Sequence, residues 1–388
     1  MTAAGEQHES EKDARFMDRA LQLAQRGRTH PNPMVGALVV RDGQIVGAGF
    51  HPRRGEAHAE AFAFADAGEA ARGATLYVTL EPCSHTDGGR TPCVARCLRA
   101  GVARVVGAMT DPDGRVSGRG FAQLRAAGVE VVDGVREAAA RRLNRAYVKH
   151  RTTGLPYVTH KAAMTLDGKI AASGGDSKWI TGEPARRYVH RHLRHRADAL
   201  VVGIGTVLAD DPTLTTRLPR GNGHDPLRVL IDSGLRTPPG AAAVRAAATS
   251  PAGTLIVGSQ GRAGAAARRA CLEAAGAEVV LVPPDVQGRA DVRAVARLLA
   301  ERGALDVLLE GGSELAASFW EGGLVDNALF FIAPKIVGGR AAPTPLAGTG
   351  IATVMADAVC LERLNVRRFG QDIALEGEVQ ADHVYRNR

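Results

Sequence analysis

The stretch ATLYVTLEPCSHTDGGRTPC, residues 74–93, joins a strand pattern to two cysteines. Its first seven residues are mostly apolar or β-branched and predict a buried strand. A helix is predicted after Pro92, so Cys93 lies at a helix start, where the positive end of the helix dipole favours a thiolate. One cysteine therefore follows a strand, and a second opens the next helix.

A metal site is predicted where this stretch is combined with His58 and Glu60, which begin a helix expected from about residue 58 to 67. His58, Cys83 and Cys93 offer one imidazole and two thiolates to a tetrahedral zinc, and three protein ligands leave the fourth position to water, as in catalytic sites. Glu60 is placed to accept a proton from that water and to pass it to a leaving amine. A His-x-Glu followed by Pro-Cys and a second Cys is the signature of zinc nucleobase deaminases.

Two other residues are alternative ligands for the same metal. Cys97 lies one helical turn after Cys93, and His85 lies in the loop between the cysteines. We favour Cys93 because of its position at the helix start. The opposing interpretation takes the cysteines as small core residues and Glu60 as an ordinary helix-start acid, but it does not explain why all the pieces occur together in this order.

The first 150 residues predict an α/β layer with a mixed sheet. Asp42–Gly43 is a strong two-residue hairpin signal between GALVV and QIVGAGF. Around the zinc motif the predicted elements are a helix over 16–26, a strand over 103–109, a helix–strand pair ending near residue 132 and a helix ending near residue 149. Turn formers without periodicity follow in HRTTGLP, residues 150–156. The boundary is therefore predicted there, with domains at 1–150 and 151–388.

The second domain again alternates strands and helices, which predicts another α/β fold. Its expected strands are YVTHKAAM, ALVVGIG, LRVLID, TLIVG, EVVLVP, DVLLEGG and NALFFIAPKIVGG. Two of them run into glycines, at 203–206 and 311–312, and glycines at such turns let backbone amides approach a phosphate. Each signal alone is weak evidence for a cofactor.

Composition limits the classes of partner. The length of 388 residues fits two domains or three, and 45% hydrophobic residues can form sizeable cores. The net charge of +8 is divided evenly, +4 in each half, and aromatic residues make up only 4%. An even spread and few aromatics argue against nucleic-acid binding. No segment resembles a membrane span, the N-terminus is polar, and five cysteines are odd in number and clustered, so we expect a cytoplasmic protein.

The motifs also resemble a known family. NPMVG, HAE and the 74–93 stretch look like the deaminase half of the bifunctional riboflavin biosynthesis family RibD, also called RibG. The chain departs from the family pattern in having nine residues between Cys83 and Cys93 where eight are usual. The resemblance implies a cytidine-deaminase-like fold in which Asn32, His51 and Glu60 line the pyrimidine pocket. It also makes Arg90 a contact to the phosphate or ribose of the substrate.

The second half resembles the reductase half of the same family, through KAAMTLDGKIA, SKWITG, GIGTVLADDPTLTTRLP, LIDS, LLEGGS and APKIVGG. The resemblance implies a dihydrofolate-reductase-like α/β fold that binds NADPH. The implied cofactor contacts are Ala163, Trp179, Thr206, Asp210, Ser233, Gly312, Ser313, Glu314, Leu315, Ala316, Ala317 and Ser318. The implied contacts to the ribosyl substrate are Ser177, Arg194, Leu214, Arg217 and Glu310. VHRHLR holds one extra residue, so Arg191 is an alternative to Arg194, and Asp210 or Glu310 could assist protonation.

The implied function is a two-step enzyme with one zinc per chain. The first domain would deaminate 2,5-diamino-6-(5-phosphoribosylamino)pyrimidin-4(3H)-one, and the second would reduce the ribosyl chain of 5-amino-6-(5-phosphoribosylamino)uracil to ribityl with NADPH. The family also leads us to expect a dimer or tetramer of this chain, acting on small molecules without nucleic-acid or membrane partners. Two other hypotheses are a nucleic-acid editing deaminase fused to an unrelated reductase and a non-catalytic zinc scaffold. Glu60, which zinc binding does not require, argues against the scaffold.

Overall fold

The computed structural model describes residues 3–85, 89, 91–219, 221 and 223–380, with backbone alone for residues 3–8. The chain divides into two compact units, one up to Gly154 and one from Leu155 onward. The sequence placed this boundary after residue 150. The helix that begins at Arg145 instead continues to Thr153, because the hydroxyls of Thr152 and Thr153 donate to helix carbonyls and the left-handed Gly154 ends the helix.

Unit 1 contains a mixed sheet of five strands within the described residues, in the order β2-β1-β3-β4-β5. The strands are β1 (Gly36–Arg41), β2 (Gln44–Phe50), β3 (Thr75–Val78), β4 (Arg104–Gly107) and β5 (Glu130–Val132). β1 is antiparallel to β2 and β3, whereas β3, β4 and β5 are parallel. The predicted hairpin is confirmed: Asp42 and Gly43 both have positive φ, as a tight turn between β1 and β2 requires.

Six helices flank this sheet in the described part of unit 1. They are α1 (Ala3–Ala24), α2 (Ala59–Ala67), α3 (Cys93–Ala100), α4 (Arg119–Ala126), α5 (Glu137–Leu143) and α6 (Arg145–Thr153). The predicted helix over 16–26 was too short at its start and two residues too long at its end. Its polar first half lacks apolar periodicity, yet it folds as helix and buries Asp13, which accepts hydrogen bonds from Tyr77 and Arg104.

Two glycines of β2 let α2 pack directly on the sheet. A Cβ atom on Gly47 would lie 2.3 Å from the carbonyl oxygen of Ala63, and one on Gly49 would lie 2.3 Å from that of Ala59. Real Cβ atoms do not approach backbone this closely, so a side chain at either position would displace the helix. This contact fixes the start of α2, which carries His58 and Glu60.

Unit 2 is built on a sheet of nine strands within the described residues, in the order β10-β9-β8-β7-β11-β6-β12-β14-β13. The strands are β6 (Tyr157–Thr165), β7 (Ala199–Gly203), β8 (Leu227–Ile231), β9 (Thr254–Ser259), β10 (Glu278–Val282), β11 (Asp306–Leu309), β12 (Asn327–Ala333), β13 (Leu361–Phe369) and β14 (Asp372–Val379). All pairs from β10 to β12 are parallel, and β14 and β13 add an antiparallel edge. The carboxyl ends of the parallel strands share one edge, where ligands of such sheets bind.

The helices of unit 2 cover both faces of the parallel part, and its buried side chains form separate clusters on the two sides. The helices are α7 (Glu183–Tyr188), α8 (Ile204–Asp210), α9 (Ala242–Arg245), α10 (Ala265–Ala274), α11 (Val292–Glu301) and α12 (Ser313–Glu321). A π-helical turn at Val189–Arg194 follows α7, with the His195 N–H donating to the carbonyl of His190, five residues earlier.

Two sequence expectations for unit 2 were wrong. NALFFIAPKIVGG is not one strand, because β12 ends at Ala333; Pro334 has no N–H for the ladder, and the Val337 and Gly338 amides donate to Asp167. The β13–β14 hairpin was missed altogether. Among the described helices, none combines the length and apolar character that a membrane crossing requires.

Candidate active sites

The predicted zinc ligands converge in unit 1. One ligand atom each from His58, Cys83 and Cys93 lies within 4.8 Å of the others. The Nδ1 atom of His58 is 3.3 Å from Cys93 Sγ and 3.6 Å from Cys83 Sγ. His58 caps α2 at its start, Cys83 follows β3 and Cys93 is the first residue of α3. A set of one imidazole and two thiols with this convergence fits zinc and leaves room for a fourth ligand.

The thiols of Cys83 and Cys93 share one proton through a hydrogen bond, which shifts their pKa values in opposite directions. A hydrogen bond with the Cys93 thiol lowers the pKa of Cys83 to about 4, helped by His58, and the same bond raises the pKa of Cys93. The backbone N–H of Cys93 also donates to Cys83 Sγ at 3.3 Å. A dication between the sulfurs would replace the shared proton.

Glu60 lies beside these ligands and is almost fully buried. Burial raises the pKa of its carboxyl, and the negative charge of Cys83 raises it further, while His58 lowers it. A carboxyl whose pKa is raised holds a proton more readily and can pass it on to a basic group. The geometry therefore suits the role predicted for Glu60.

The alternative ligands do not join the cluster. Cys97 is fully buried in the hydrophobic core of unit 1, and burial raises its pKa well above the ordinary value. His85 is exposed and lines the neighbouring cavity. Arg90, predicted to contact phosphate or ribose, lies outside the described residues.

A cavity of about 400 Å³ adjoins the metal cluster and is lined by Asn32 and His51 as well as by His58 and Glu60. The Nδ1 atom of His51 is 2.9 Å from the carbonyl oxygen of Ala57, and its Nε2 is 3.3 Å from Asn32 Nδ2. If Nδ1 donates to that carbonyl, Nε2 accepts from the Asn32 amide, which leaves the amide oxygen for a ligand. The residues predicted to form the pyrimidine pocket thus lie around one cavity.

Sequence reasoning missed part of this cavity. Asp111, Asp113, Arg115, Tyr147 and Arg151 line it from the segment after β4 and from α6. They belong to no short motif, so no sequence signal marked them.

No role was predicted for Glu81, which lies just before the Pro-Cys pair of the zinc motif. Its carboxylate accepts hydrogen bonds from three backbone amides, those of Asp111, Gly118 and Gly120. Glu81 therefore holds the segment after β4, and the start of α4, against the loop that carries Cys83.

Unit 2 gathers a second charged cluster where β11 ends beside the middle of β6. Arg194 binds Glu310 through two hydrogen bonds of 3.0 and 2.8 Å, and the ammonium of Lys161 lies 3.9 Å from the same carboxylate. Burial alone would raise the pKa of Glu310, but Arg194 and Lys161 outweigh it and lower the pKa to about 2. Glu310 is thus ionised at neutral pH, which argues against it as the proton donor.

No catalytic role was predicted for Lys161, because the sequence KAAM at residues 161–164 indicates only a strand. Burial lowers the pKa of its ammonium, although Glu310 opposes the shift. Lys161 and Ala163 are two residues apart in β6, so they lie on the same face of the strand. A half-buried lysine with a lowered pKa is a candidate proton donor.

The remaining predicted substrate contacts lie around this cluster. Arg217 donates through its backbone to His190 Nδ1 at 3.2 Å, and its guanidinium lies 3.1 Å from His190 Nε2. Leu214 is buried with positive φ, and Arg194 also donates to the carbonyl of Thr215. Arg191, the alternative to Arg194, is exposed.

The two glycine turns that were predicted to bind phosphate lie side by side. A Cβ atom on Gly312 would be 3.7 Å from Thr206 Oγ1, and one on Gly203 would be 3.5 Å from the Leu315 Cβ. Gly312 caps α12 at its start, so the free amides of the first turn face this region. Ala316 and Ala317 are buried in this helix, and the Ala316 N–H donates to the carbonyl of Gly312.

The other predicted cofactor contacts lie near the same edge. Lys178 forms an ion pair of 3.3 Å with Asp210, next to half-buried Ser177. Trp179 is 60% exposed, and the Arg186 guanidinium lies 4.4 Å from its ring centre. Ser233 follows β8, and its hydroxyl accepts a hydrogen bond from the Ala290 amide. These turns and their donors fit a dinucleotide lying along the edge of the sheet.

Known proteins match both units. Residues 10–109 match the zinc-binding region of cytidine and deoxycytidylate deaminases, and residues 156–375 match the RibD C-terminal domain. Riboflavin biosynthesis protein RibD of Bacillus amyloliquefaciens is 41% identical over 380 residues, covering 96% of this chain and 99% of that protein. The protein of the same name from Escherichia coli K12 is 39% identical over 383 residues, covering 94% and 98%.

Solved structures agree with these relatives. Acinetobacter baumannii RibD superposes with a TM-score of 0.83 at 35% identity, covering 96% of this chain and all of that one. The Thermotoga maritima protein described as a diaminohydroxyphosphoribosylaminopyrimidine deaminase and 5-amino-6-(5-phosphoribosylamino)uracil reductase gives a TM-score of 0.82 at 34% identity, with coverage of 96% and 100%.

The units and their sites define a bifunctional enzyme, a zinc-dependent deaminase joined to a reductase of α/β fold. Zinc serves the first activity and NADPH the second. The chain belongs to the RibD family, whose members carry out two steps of riboflavin biosynthesis.

Proposed function

We propose that unit 1 hydrolyses the amine from 2,5-diamino-6-(5-phosphoribosylamino)pyrimidin-4(3H)-one, and that unit 2 reduces 5-amino-6-(5-phosphoribosylamino)uracil to its ribityl form. The observation that carries the first half is the cluster of His58, Cys83 and Cys93 with buried Glu60 beside a cavity of about 400 Å³. The second half rests on the cluster of Arg194, Glu310 and Lys161 beside two glycine turns.

In unit 1, His58, Cys83 and Cys93 hold the zinc. When bound, zinc lowers the pKa of a coordinated water to about 7 and so supplies a nucleophile at neutral pH. Glu60 takes a proton from the attacking water as the carbon–oxygen bond forms. It then delivers the proton to the amine as the carbon–nitrogen bond breaks, and ammonia leaves. Asn32 and His51 hold the pyrimidine, and Arg90 contacts the phosphate or ribose.

In unit 2, the substrate lies against Arg194, Arg217, Leu214 and Ser177, with Glu310 keeping Arg194 in place. NADPH supplies the hydride. The ribosyl ring opens at the bond between its anomeric carbon and ring oxygen. The oxygen takes a proton, for which Lys161 is the donor, and the anomeric carbon receives the hydride.

The cofactor would be held by Ala163, Trp179, Thr206, Asp210 and Ser233, and by the first turn of α12 from Gly312 to Leu315. Ser318 completes the predicted set from the same helix. The free N–H groups at the start of α12 suit the diphosphate.

We also propose that the enzyme is a cytoplasmic homo-oligomer. All five cysteines are free, and Cys83 and Cys93 must stay reduced to bind zinc. Leu364, Val366, Ile373 and Leu375 of the β13–β14 hairpin are exposed apolar side chains that suit contact with a second copy. Light scattering during size exclusion should show a dimer or tetramer.

The decisive experiment measures zinc content, ammonia release and NADPH oxidation separately. One zinc per chain, ammonia release without NADPH, and NADPH oxidation only after deamination would support both activities and their order. Glu60→Gln should keep zinc and abolish ammonia release, while still oxidising NADPH with the deaminated substrate. Ammonia release by Glu60→Gln at the wild-type rate would overturn the role of Glu60.

A further inference from the structure

One face of helix α6 borders the deaminase cavity. Asn144, Tyr147 and Arg151 follow each other at spacings of three and four residues around the start and along the length of α6, which places them on one side. Tyr147 and Arg151 line the cavity. All three lie beyond residue 109, where the match to the general deaminase zinc-binding region ends. This face of α6 therefore contributes lining side chains to the cavity that lie outside the zinc-binding region.

The side chain of Asn144 binds the segment that precedes β1 and does not bind its own helix. It occupies the N-cap position of α6, where asparagine normally binds a helix amide, yet its side chain makes no cap hydrogen bond. Instead its Oδ1 accepts from the Met34 N–H at 2.8 Å, and its Nδ2 donates to the Met34 carbonyl at 3.0 Å. Asn144 is 1% exposed, so both bonds are made away from water.

Met34 belongs to the segment that carries Asn32, Pro33 and Val35, and these three residues line the cavity. A two-point hydrogen bond to the backbone of Met34 fixes both the position and the rotation of this segment. If Asn144 lost one bond, a buried polar group would be left without a partner, which is costly enough to move the segment.

Tyr147 performs a similar task for Asp111. Its hydroxyl donates to Asp111 Oδ1 at 3.1 Å, with Oδ2 at 3.3 Å, and the tyrosine is 3% exposed. The Arg151 guanidinium lies 5.2 Å from the centre of the Tyr147 ring and so covers it. Asp111 lines the cavity, and its carboxylate is thus held in one orientation by α6.

We propose that Asn144 and Tyr147 are positioning residues for the deaminase substrate. Asn144 sets the wall that bears Asn32, and Tyr147 sets the carboxylate of Asp111, so that α6 determines how tightly the pyrimidine is held. The inference rests on the proposed function of this cavity. It touches neither the zinc ligands nor Glu60, so binding and not the chemical step should respond.

The test is steady-state deamination by Tyr147→Phe and Asn144→Asp. We expect KM to rise about tenfold in each, with kcat changed less than about twofold, because an interaction made equally in ground and transition states affects KM alone. Tenfold corresponds to about 1.4 kcal/mol, close to the range for a hydrogen bond to a charged group. Zinc content and NADPH oxidation with the deaminated substrate should stay at wild-type values.

Tyr77→Phe is the matched control. Tyr77 is also a buried tyrosine of unit 1 that donates to an aspartate, Asp13, at 2.7 Å, but it does not line the cavity. It should lower stability without raising KM.

Four outcomes decide the matter. An unchanged KM in Tyr147→Phe overturns the assignment of Tyr147, and an equal rise in Tyr77→Phe shows a general loss of packing and overturns it as well. An unchanged KM in folded Asn144→Asp overturns the assignment of Asn144, and Tyr147→Phe tests the role of α6 whether or not that variant folds. A wild-type protein that binds zinc but releases no ammonia would instead overturn the proposed function, and this inference with it.

Discussion

The Arg194 guanidinium and the Glu310 carboxylate form a two-point ion pair, with Nε to Oε1 at 3.0 Å and Nη2 to Oε2 at 2.8 Å. The two side chains are 14% and 9% exposed, so water screens the pair little. Removing one partner of such a pair leaves a buried charge uncompensated. The pair is therefore a sensitive point of the reductase site.

Arg194→Lys should lower kcat/KM for NADPH-dependent reduction by at least about tenfold, because lysine cannot form the paired hydrogen bonds of the guanidinium. Ammonia release by unit 1 should be unchanged. The matched control is Arg191→Lys, which alters an exposed side chain of the same turn and should leave both activities intact. Equal losses in both variants would remove the special role of Arg194.

Reduction should fail on the alkaline side at a pH below the ordinary lysine pKa of 10.5. Burial lowers the pKa of Lys161, and the protonated form is the one that can donate, so activity is present below the lowered pKa and lost as pH rises through it. A pH profile of single-turnover NADPH oxidation measures this limb. Lys161→Arg keeps the charge at every accessible pH but is too weak an acid to donate, so most of the reductase activity should be lost and the residual activity should lack this limb. A limb that persists in that residual activity belongs to another group.

Cysteine replacements should separate the metal ligands from the core thiol. Cys93→Ser should lose most bound zinc and all deamination, because it removes one of three ligands. Cys97→Ala should keep its zinc and lose about 1 kcal/mol of unfolding free energy, the cost of a small core cavity. Metal analysis after dialysis, with thermal unfolding, measures both. Zinc loss in Cys97→Ala would mean that Cys97 is a ligand.

Gly49→Ala should weaken zinc binding without touching a ligand. The added Cβ would meet the Ala59 carbonyl at 2.3 Å, so α2 must move and carry His58 with it. Overpacking of this kind costs about 1–3 kcal/mol. Gly240→Ala, whose Cβ would meet nothing within 4 Å, is the control. Wild-type zinc content and melting temperature in Gly49→Ala would contradict the proposed packing constraint.

The zinc cluster could be predicted because its ligands and Glu60 occur in short sequence motifs. His58 and Glu60 are two residues apart, and Cys83 and Cys93 flank one loop, so local spacing and residue type were enough. The same reasoning favoured Cys93 over Cys97 only through its position at the helix start, because both cysteines lie on one helix. The choice depends on which side of α3 faces the metal, and only the packed structure shows that Cys97 faces the core.

The rest of both sites depends on contacts between distant residues. Arg194 and Glu310 are 116 positions apart, and Asn144 and Met34 are 110 apart. Lys161 lies in a strand whose sequence pattern predicts only that the strand is buried. Its role becomes apparent only from its ion pair with Glu310, which is distant in sequence. The β13–β14 hairpin was missed because polarity does not follow exposure there: in β14 Ile373 and Leu375 are exposed while Asp372 is buried.

The π-helical turn at Val189–Arg194 gives this part of the chain a spare residue. A turn with hydrogen bonds from residue i to i+5 contains one residue more than an α-helical turn. The extra residue makes the backbone bulge outward at Arg191 and His192, which are both exposed. Losing either of them would restore a regular helix and still deliver Arg194 to Glu310. The turn is therefore expected to absorb a one-residue deletion, so that the length of the chain before Arg194 is not fixed by its pairing with Glu310.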